Sequence, residues 1–457
     1  MLGQLGKKVH IIGIGGARLS SLAKILLSKG YQITGSDASE SRFTEAIRRL
    51  GITIYTGHEG NQVEKADWVV YTTAVGENNP ELVKARSLNL PVLEGAELLG
   101  LLMGDAETGV AIAGTHGKTT TTGMASLALL EAGVNPTIMI GGDFDPIGGN
   151  ARVGGTQVFL AEACEFREAF LRLKPTIGVI TNIDWDHPDC FPTLDSVAAT
   201  FRKFVALLPS DGILIVCGDD PLAAALADEA DCQTLRYGFT ENNDLIASNL
   251  RAREPLGQTY QLSIGGRALG TVTLAVPGCH NALNSLGSLA VCHALGLDLA
   301  KPIAALASFL GVHRRFEIKG QVAGITIVDD YAHHPSAVRL TLSTAKEHFR
   351  GRIWCVFQPH LYSRTKYLFG ELTNAFGDAD HVVFTDIYAA READPGDISS
   401  GILAQETAKH HPAVHYFGGL QETAVQLVPL LKSGDLVITM GAGDITNLGG
   451  QLLVTLA

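Results

Sequence analysis

The stretch from Thr108 to Thr122, Thr-Gly-Val-Ala-Ile-Ala-Gly-Thr-His-Gly-Lys-Thr-Thr-Thr-Thr, leaves few choices of fold. Val110 to Ala113 is a short apolar run that predicts a buried strand, and Thr120 to Leu130 is helix-compatible. Between them lies Gly114-Thr115-His116-Gly117-Lys118-Thr119. Strand, glycine loop, Lys-Thr pair and helix are the parts of a phosphate cradle, where backbone N–H groups approach phosphate oxygens. Lys118 can reach the outer phosphates, and the Thr119 hydroxyl can sit on Mg²⁺. Such loops usually carry a further glycine five residues before the Gly of Gly-Lys. Here that position is Ile112, so the loop is a variant.

A chain of 457 residues is too long for one core and predicts two to three domains. With 46% hydrophobic and 18% charged residues it is globular rather than disordered. A formal charge of −12 argues against a broad nucleic-acid surface but leaves room for a local basic pocket. No run approaches the roughly 20 apolar residues of a membrane helix. The N-terminus leads straight into a strand, with no signal-peptide pattern. The seven cysteines are scattered without a Cys-x-x-Cys pair. They fit reduced thiols in a cytoplasmic protein better than zinc or disulfides.

In residues 1–107, Val9 to Ile12 predicts a strand, followed by Gly13-Ile14-Gly15-Gly16 and an apolar helical stretch. Tyr31 to Asp37 is a second strand with an acid at its end. This is a βαβ unit with an anion-binding turn and an acid near the spacing of a ribose-binding carboxylate. NAD binding is the obvious reading, but Leu19 stands where a third glycine belongs, and a tight turn without ligand is the alternative. Thr72 and Thr73 follow the strand Trp68 to Tyr71, at the end where α/β sheets bind ligands.

In residues 108–311, Gly141-Gly142 and Gly148 to Arg152 read as surface loops. The strand Val158 to Ala161 ends in Glu162-Ala163-Cys164-Glu165, and Ile177 to Ile183 ends in Asp184-Trp185-Asp186-His187-Pro188-Asp189. Acids and a histidine at strand ends downstream of a phosphate loop suit a magnesium site. Glu165 and Asp189 also read as helix N-terminal acids. His280-Asn281 opens a helix and suits either capping or a nucleotide contact.

In residues 312–457, Arg314-Arg315 is either a solvated basic turn or the source of an arginine for a transferring phosphate. Four apolar strands then end in Asp329 to Pro335, Gln358 to Arg364, Asp386 to Glu392 and Gly441 to Asp444. Four polar strand ends in a row describe the ligand edge of an open α/β sheet.

Taken together, Gly114-Thr-His-Gly-Lys-Thr-Thr120, Thr181-Asn-Ile-Asp-Trp-Asp-His187, His280-Asn281, Gly311-Val-His-Arg-Arg-Phe316, Asp329-Asp-Tyr-Ala-His-His-Pro335, Gln358-Pro-His-Leu-Tyr-Ser-Arg364 and Gly441-Ala-Gly-Asp444 resemble the Mur ligases. These are ATP-dependent amide-forming enzymes of peptidoglycan precursor synthesis. The resemblance implies three α/β domains. Residues 1–107 would be a Rossmann-like UDP-sugar domain. Residues 108–311 would be a central P-loop ATPase-like mononucleotide-binding domain, and 312–457 a Rossmann-like amino-acid domain. The Asp-Tyr-x-His-His-Pro, Gln-Pro-His and Gly-Ile-Gly-Gly elements point to the branch that joins L-alanine to UDP-N-acetylmuramate through an acyl phosphate. ATP and Mg²⁺, or Mn²⁺, would be required. A cytoplasmic monomer or homodimer without nucleic-acid or membrane partners is implied. The rivals are a ligase that recycles murein tripeptide onto the same nucleotide sugar and a non-catalytic nucleotide-sugar sensor.

Carried onto this chain, the resemblance gives Gly13, Ile14, Gly15 and Gly16 the UDP diphosphate, with Asp37, Thr72 and Thr73 nearby and His116 and Asn150 by the muramyl group. Gly114, Thr115, Gly117, Lys118, Thr119 and Thr120 would hold the ATP phosphates, Asn281 the adenine, Asp330 the ribose and Arg315 the γ-phosphate. Thr119, Glu162 and His187 would ligate metal. Tyr331, His333, His360 and Arg364 would line the alanine site. Lys118, His187, Arg315, His333 and His360 would carry the catalysis. Three places depart from the family pattern: Cys164 stands where many relatives have Asp, Ala17-Arg18-Leu19 follows the first glycine turn, and Leu361 replaces an arginine of some relatives. Lys203 is the nearest lysine after His187 to one that some relatives carbamylate.

Overall fold

Apolar strands that end in glycine or polar turns, each feeding a helix, build three separate sheets in a computed structural model that describes residues 2–187, 190–254, 256–390 and 392–457. Asp189 lies outside the described residues.

The first sheet has five parallel strands, in the order Thr53–Thr56, Gln32–Asp37, Lys8–Ile12, Trp68–Tyr71, Val92–Glu94. The order reverses between Lys8–Ile12 and Trp68–Tyr71, which opens a crevice at their carboxyl ends. Gly13 sits in that crevice at φ +80°, and a Cβ there would meet Thr72 Cγ2 at 2.4 Å. The helix Ala17–Ser28 follows, with Leu19 packed into the core in place of a third glycine.

The second sheet has ten strands. Thr108–Ala113 lies between Ile177–Ile180 and Val158–Glu162, with Ala113 level with Ile180 and Ile112 level with Glu162. Three polar strand ends therefore lie side by side. Ile112 is fully buried inside its strand, which runs on to Ala113 before the loop starts.

Two glycine-rich stretches read as surface loops are strands instead. Thr137–Phe144 contains Gly141-Gly142, and Gly149–Arg152 pairs with it antiparallel at the sheet edge. The reason is close approach: a Cβ on Gly141 would lie 2.6 Å from Glu162 Oε2. At the opposite edge, Leu245–Ala252, Gln258–Ile264 and Arg267–Leu274 add antiparallel pairs that the apolar-run reading passed over.

The third sheet runs Glu317–Val322, Ile325–Asp330, Leu436–Met440, Ile353–Phe357, His381–Phe384, Val414–Tyr416, parallel except for the first. Its core is its own. The first and second sheets instead share one apolar cluster that runs from Val9 and Leu22 to Ala111 and Phe159. Among the described residues no helix is long and apolar enough to cross a membrane.

Candidate active site

The loop after Thr108–Ala113 requires glycine twice. Gly114 has φ +133°, and a Cβ there would fall 1.9 Å from Thr181 Oγ1; Gly117 has φ +82°, with Asn284 Oδ1 at 2.4 Å from its Cβ position. The neighbouring strand end then fixes the loop. Thr181 Oγ1 donates to the His116 carbonyl at 2.6 Å, and Asn182 Oδ1 accepts from His116 N at 2.8 Å. The helix Lys118–Glu131 starts at this point, so its unpaired N–H groups face the loop.

Lys118 Nζ donates to the carbonyls of Gly114 (2.5 Å) and Thr115 (3.0 Å) and pairs with Glu165 Oε2 at 2.9 Å. Burial works against its charge, but Glu165 together with Cys164 and Glu162 outweighs it and holds the ammonium above its ordinary value. Glu165 is 2% exposed, so it is a buried counter-ion and not a surface helix acid. Thr119 Oγ1 donates to Glu162 Oε2 at 2.9 Å, and Gly141 N donates to the same oxygen at 2.8 Å. This hydroxyl–carboxylate pair is an oxygen donor set suited to Mg²⁺.

The two arginines divide their work. Arg314 Nη2 donates to the carbonyls of Gly441 and Gly443 and serves the third sheet's own loops. Arg315 Nη2 reaches Thr119 Oγ1 at 3.4 Å, across from one sheet to another. Both guanidinium groups lie about 5 Å over the Tyr331 ring.

One cavity of about 430 Å³ takes in Lys118, Thr119, Glu162, His187, Arg315 and His333. Where the second-sheet strand end meets the third sheet, its wall is an electrostatic cluster around Asp186. Arg364 Nε is 3.8 Å from Asp186 Oδ1, and His187 Nε2 is 3.8 Å from Oδ2. Burial opposes the Asp186 charge, but its neighbours His187 and Arg364 hold the carboxyl well below the usual range. Arg364 Nη1 also donates to His360 Nδ1 at 3.0 Å, and His360 stacks on Tyr388. Burial, helped by Arg364, pushes His333 well below an ordinary histidine, so it is neutral. Its Nδ1 donates to the Tyr331 carbonyl at 2.9 Å.

A second group seals the loop to the third sheet. His116 Nε2 lies 3.2 Å from Asp184 Oδ2, which also accepts from Ser336 Oγ at 2.9 Å. His334 Nε2 donates to the Trp185 carbonyl at 3.0 Å. His116, Asp184 and His334 present ligand atoms within 4.8 Å of one another. Their hydrogen bonds already run between sheets, which makes them a clasp.

Asn281 and Asp330 line the same cavity. Asn281 donates to the Pro277 carbonyl at 2.7 Å. Asp330 accepts from Phe316 N and Ala332 N, both at 2.7 Å, and burial pushes its carboxyl up. The first-sheet residues gather elsewhere. Asp37 Oδ2 accepts from Gly15 N at 2.8 Å in the crevice beside Gly13 and Thr72. Asn150 is 1% exposed, and its amide group is engaged by Ala17 O, Ser20 Oγ and Lys24 Nζ. Cys164 also lines the cavity, and burial pushes its thiol up. Leu361 is buried at φ +69°. Lys203 pairs with Glu168 on the surface.

Sequence reasoning had Asp184, Asp186 and Glu165 in view only as members of acidic runs. Ser336 and Tyr388 it missed, because each is recruited by a strand distant in sequence.

Residues 8–107 match the Mur ligase family catalytic domain, 112–292 the Mur ligase middle domain and 314–443 the Mur ligase glutamate ligase domain. A UDP-N-acetylmuramate–L-alanine ligase of Clostridium novyi is 45% identical over 98% of this chain and 97% of its own length. One of Alkaliphilus metalliredigens is 42% identical over the same shares. The crystal structure of a UDP-N-acetylmuramate–alanine ligase from Thermotoga maritima superposes with a TM-score of 0.84 at 29% identity, covering 98% of both chains. A murein peptide ligase from Psychrobacter arcticus shares the fold, with a TM-score of 0.73 at 23% identity over 99% of both chains.

Proposed function

The chain belongs to the Mur ligase family, and from that premise we propose that it joins the amino group of L-alanine to the carboxylate of UDP-N-acetylmuramate, driven by ATP. The observation that carries this reading is the shared cavity, into which the phosphate-loop Lys118 opens together with Arg315 and His333 of the third sheet. Residues 1–107 hold the UDP-sugar, 108–311 the ATP and 312–457 the alanine. All three substrates are soluble, which supports a reaction in the cytoplasm.

A carboxylate is a poor electrophile, and its charge repels ATP. Lys118 turns from Glu165 to the phosphates and Arg315 meets them from the other side, so the substrate carboxylate can attack the γ-phosphorus in line. The P–O bond to ADP breaks and an acyl phosphate forms. Thr119 and Glu162 would hold Mg²⁺, with His187 for a second ion, and the metal supplies charge neutralisation at the phosphate oxygens.

The alanine amine then attacks the acyl carbon, and the tetrahedral oxyanion collapses to amide and phosphate. Lys118 and His187 stabilise the negative charge. The hydrogen-bond network favours one of the two histidines as the base. Neutral His333 donates from Nδ1 to a carbonyl, so its lone pair is on Nε2. His360 accepts at Nδ1 from Arg364, which leaves its proton on Nε2. His333 takes the amine proton, and His360 donates to the substrate carboxylate. With Arg315 and His333 on one sheet and Lys118 on another, closure completes the site and keeps water from the acyl phosphate.

The test is phosphate release with purified protein, ATP and Mg²⁺, and a panel of UDP-N-acetylmuramate with L-Ala, Gly, L-Ser or murein tripeptide. Release that requires both the nucleotide sugar and L-alanine supports the reading. Preference for tripeptide would replace it with the recycling ligase, and binding without release would leave a sensor.

A further inference from the structure

The four residues Glu165 to Glu168 reach Lys118, His187 and the first sheet, and in the mechanism above only Glu165 has a part, as the counter-ion of Lys118. Glu165 accepts from Lys118 Nζ with both carboxylate oxygens, at 3.1 and 2.9 Å. The Phe166 ring lies 4.9 Å from the His187 ring. Arg167 Nη1 crosses to the first sheet and donates to the Thr73 carbonyl at 3.1 Å. Glu168 is tied back by Lys203 at 2.7 Å and Thr200 at 3.3 Å.

The backbone of this segment is unusual. Arg167 and Glu168 have φ +50° and +55°, consecutive left-handed residues without a glycine between them. L-residues adopt that region rarely, and surrounding contacts must hold them there. A right-handed backbone at these two positions would re-aim both side chains, so the left-handed pair is what delivers Arg167 to Thr73. Thr73 follows Thr72, which packs against the Gly13 position at the ligand edge of the first sheet. The partners of Arg167 there are a neutral carbonyl and the Phe166 ring, 5.5 Å below the guanidinium, and neither cancels its charge.

We propose that Arg167 is a positioning residue that couples sugar-nucleotide binding at the first sheet to the release of Lys118 from Glu165. The inference rests on the functional reading above. An anionic sugar nucleotide in the Gly13–Gly16 crevice draws the guanidinium away from Thr73. Glu165 is two residues away in a segment pinned at both ends, so the shift loosens its hold on Lys118 and frees the ammonium for the phosphates. Linkage makes the effect reciprocal: bound ATP tightens the sugar nucleotide by the same factor.

The experiment uses the full chain and calorimetry with a non-hydrolysable ATP analogue and Mg²⁺, with and without saturating UDP-N-acetylmuramate. Wild type is expected to bind the analogue about tenfold more tightly when the sugar nucleotide is present. Arg167→Ala should bind the analogue alone within about twofold of wild type, which also shows that it is folded, and should lose the enhancement. Arg167→Lys should keep part of it. Arg167→Gly relieves the backbone, so its Tm should rise while its coupling is lost; a merely structural arginine would lower Tm. Undiminished coupling in Arg167→Ala would overturn the proposal, as would wild type that binds both ligands independently. Wild type that does not bind the sugar nucleotide at all would overturn the functional reading, and this inference with it.

Discussion

The turn Gly13–Gly16 and the loop Gly114–Thr119 both lead from a central parallel strand into a helix N-terminus, and in both a carboxylate of the chain occupies the place where ligand chemistry is expected. In the first it is Asp37, on the adjacent strand end, accepting from Gly15 N. In the second it is Glu165, which binds the Lys118 side chain rather than the backbone. A cradle of N–H groups alone can stand ready for an anion. A cradle with a lysine needs a counter-ion when empty and has to exchange it for the ligand. On the proposed function the first turn would keep its carboxylate when ligand binds, and the second would exchange its own.

The largest expected effect tests the lysine itself. Lys118→Ala should lower turnover about a thousandfold or more in the phosphate-release assay. Near-normal ligation would mean that the two cradles work alike through backbone alone. Next come the two carboxylates. Glu165→Gln breaks a buried pair and should lower unfolding free energy by about 3 kcal/mol in denaturant titration. Asp37→Asn keeps an oxygen that can accept from Gly15 N and removes only the charge, so it should lower that free energy by about 1 kcal/mol or less. Asp37→Asn should also raise KM for the sugar nucleotide about tenfold with little change in kcat. Equal losses from the two variants would erase the contrast.

Acid should sharpen it. Burial holds His280 down at about 4 and keeps His333 and His334 below their ordinary values. The unfolded chain takes up protons near pH 6.5 where the folded protein does not, so stability falls as pH drops from about 6.5 toward 4. Asp184 and Asp186, depressed by His116 and by the His187 cluster, add a further loss below about pH 4. Melting curves across pH 2 to 8 should therefore show both phases, with the loss below about pH 4 smaller in Asp184→Asn. The smallest effect belongs to Lys203→Ala, an exposed pair with Glu168, expected within about 0.5 kcal/mol and about twofold in activity.

Legibility followed distance along the chain. Asp37 lies 22 positions from Gly15, inside one βαβ unit, so its place beside the turn could be read from spacing. Glu165 pairs with a lysine 47 positions away, and nothing local separates such an acid from a helix cap. Gly141 looked like a loop because glycine marks both turns and close approach, and only the Glu162 carboxylate beside it decides which. The strands 245–274 lack continuous apolar runs, since their outer faces are exposed. Asn150 was placed by resemblance beside the muramyl group, whereas its amide is engaged by the helix Ala17–Ser28. The choice between His333 and His360 was illegible in principle, because it depends on which nitrogen each neighbour occupies.

That Asn150 clamp has a mechanical consequence. It rivets the first sheet's helix to the second sheet above a common apolar cluster, whereas the third sheet meets them through Trp185 and a seam of polar contacts such as Asp184–Ser336 and Arg315–Thr119. If the closure proposed above takes place, the two riveted bodies would form the post of a single-leaf gate and the travel would fall to residues beyond 312. A compound wedged into the Ser336 seam would act as a doorstop, stalling the cycle without resembling the nucleotide, the sugar or the amino acid.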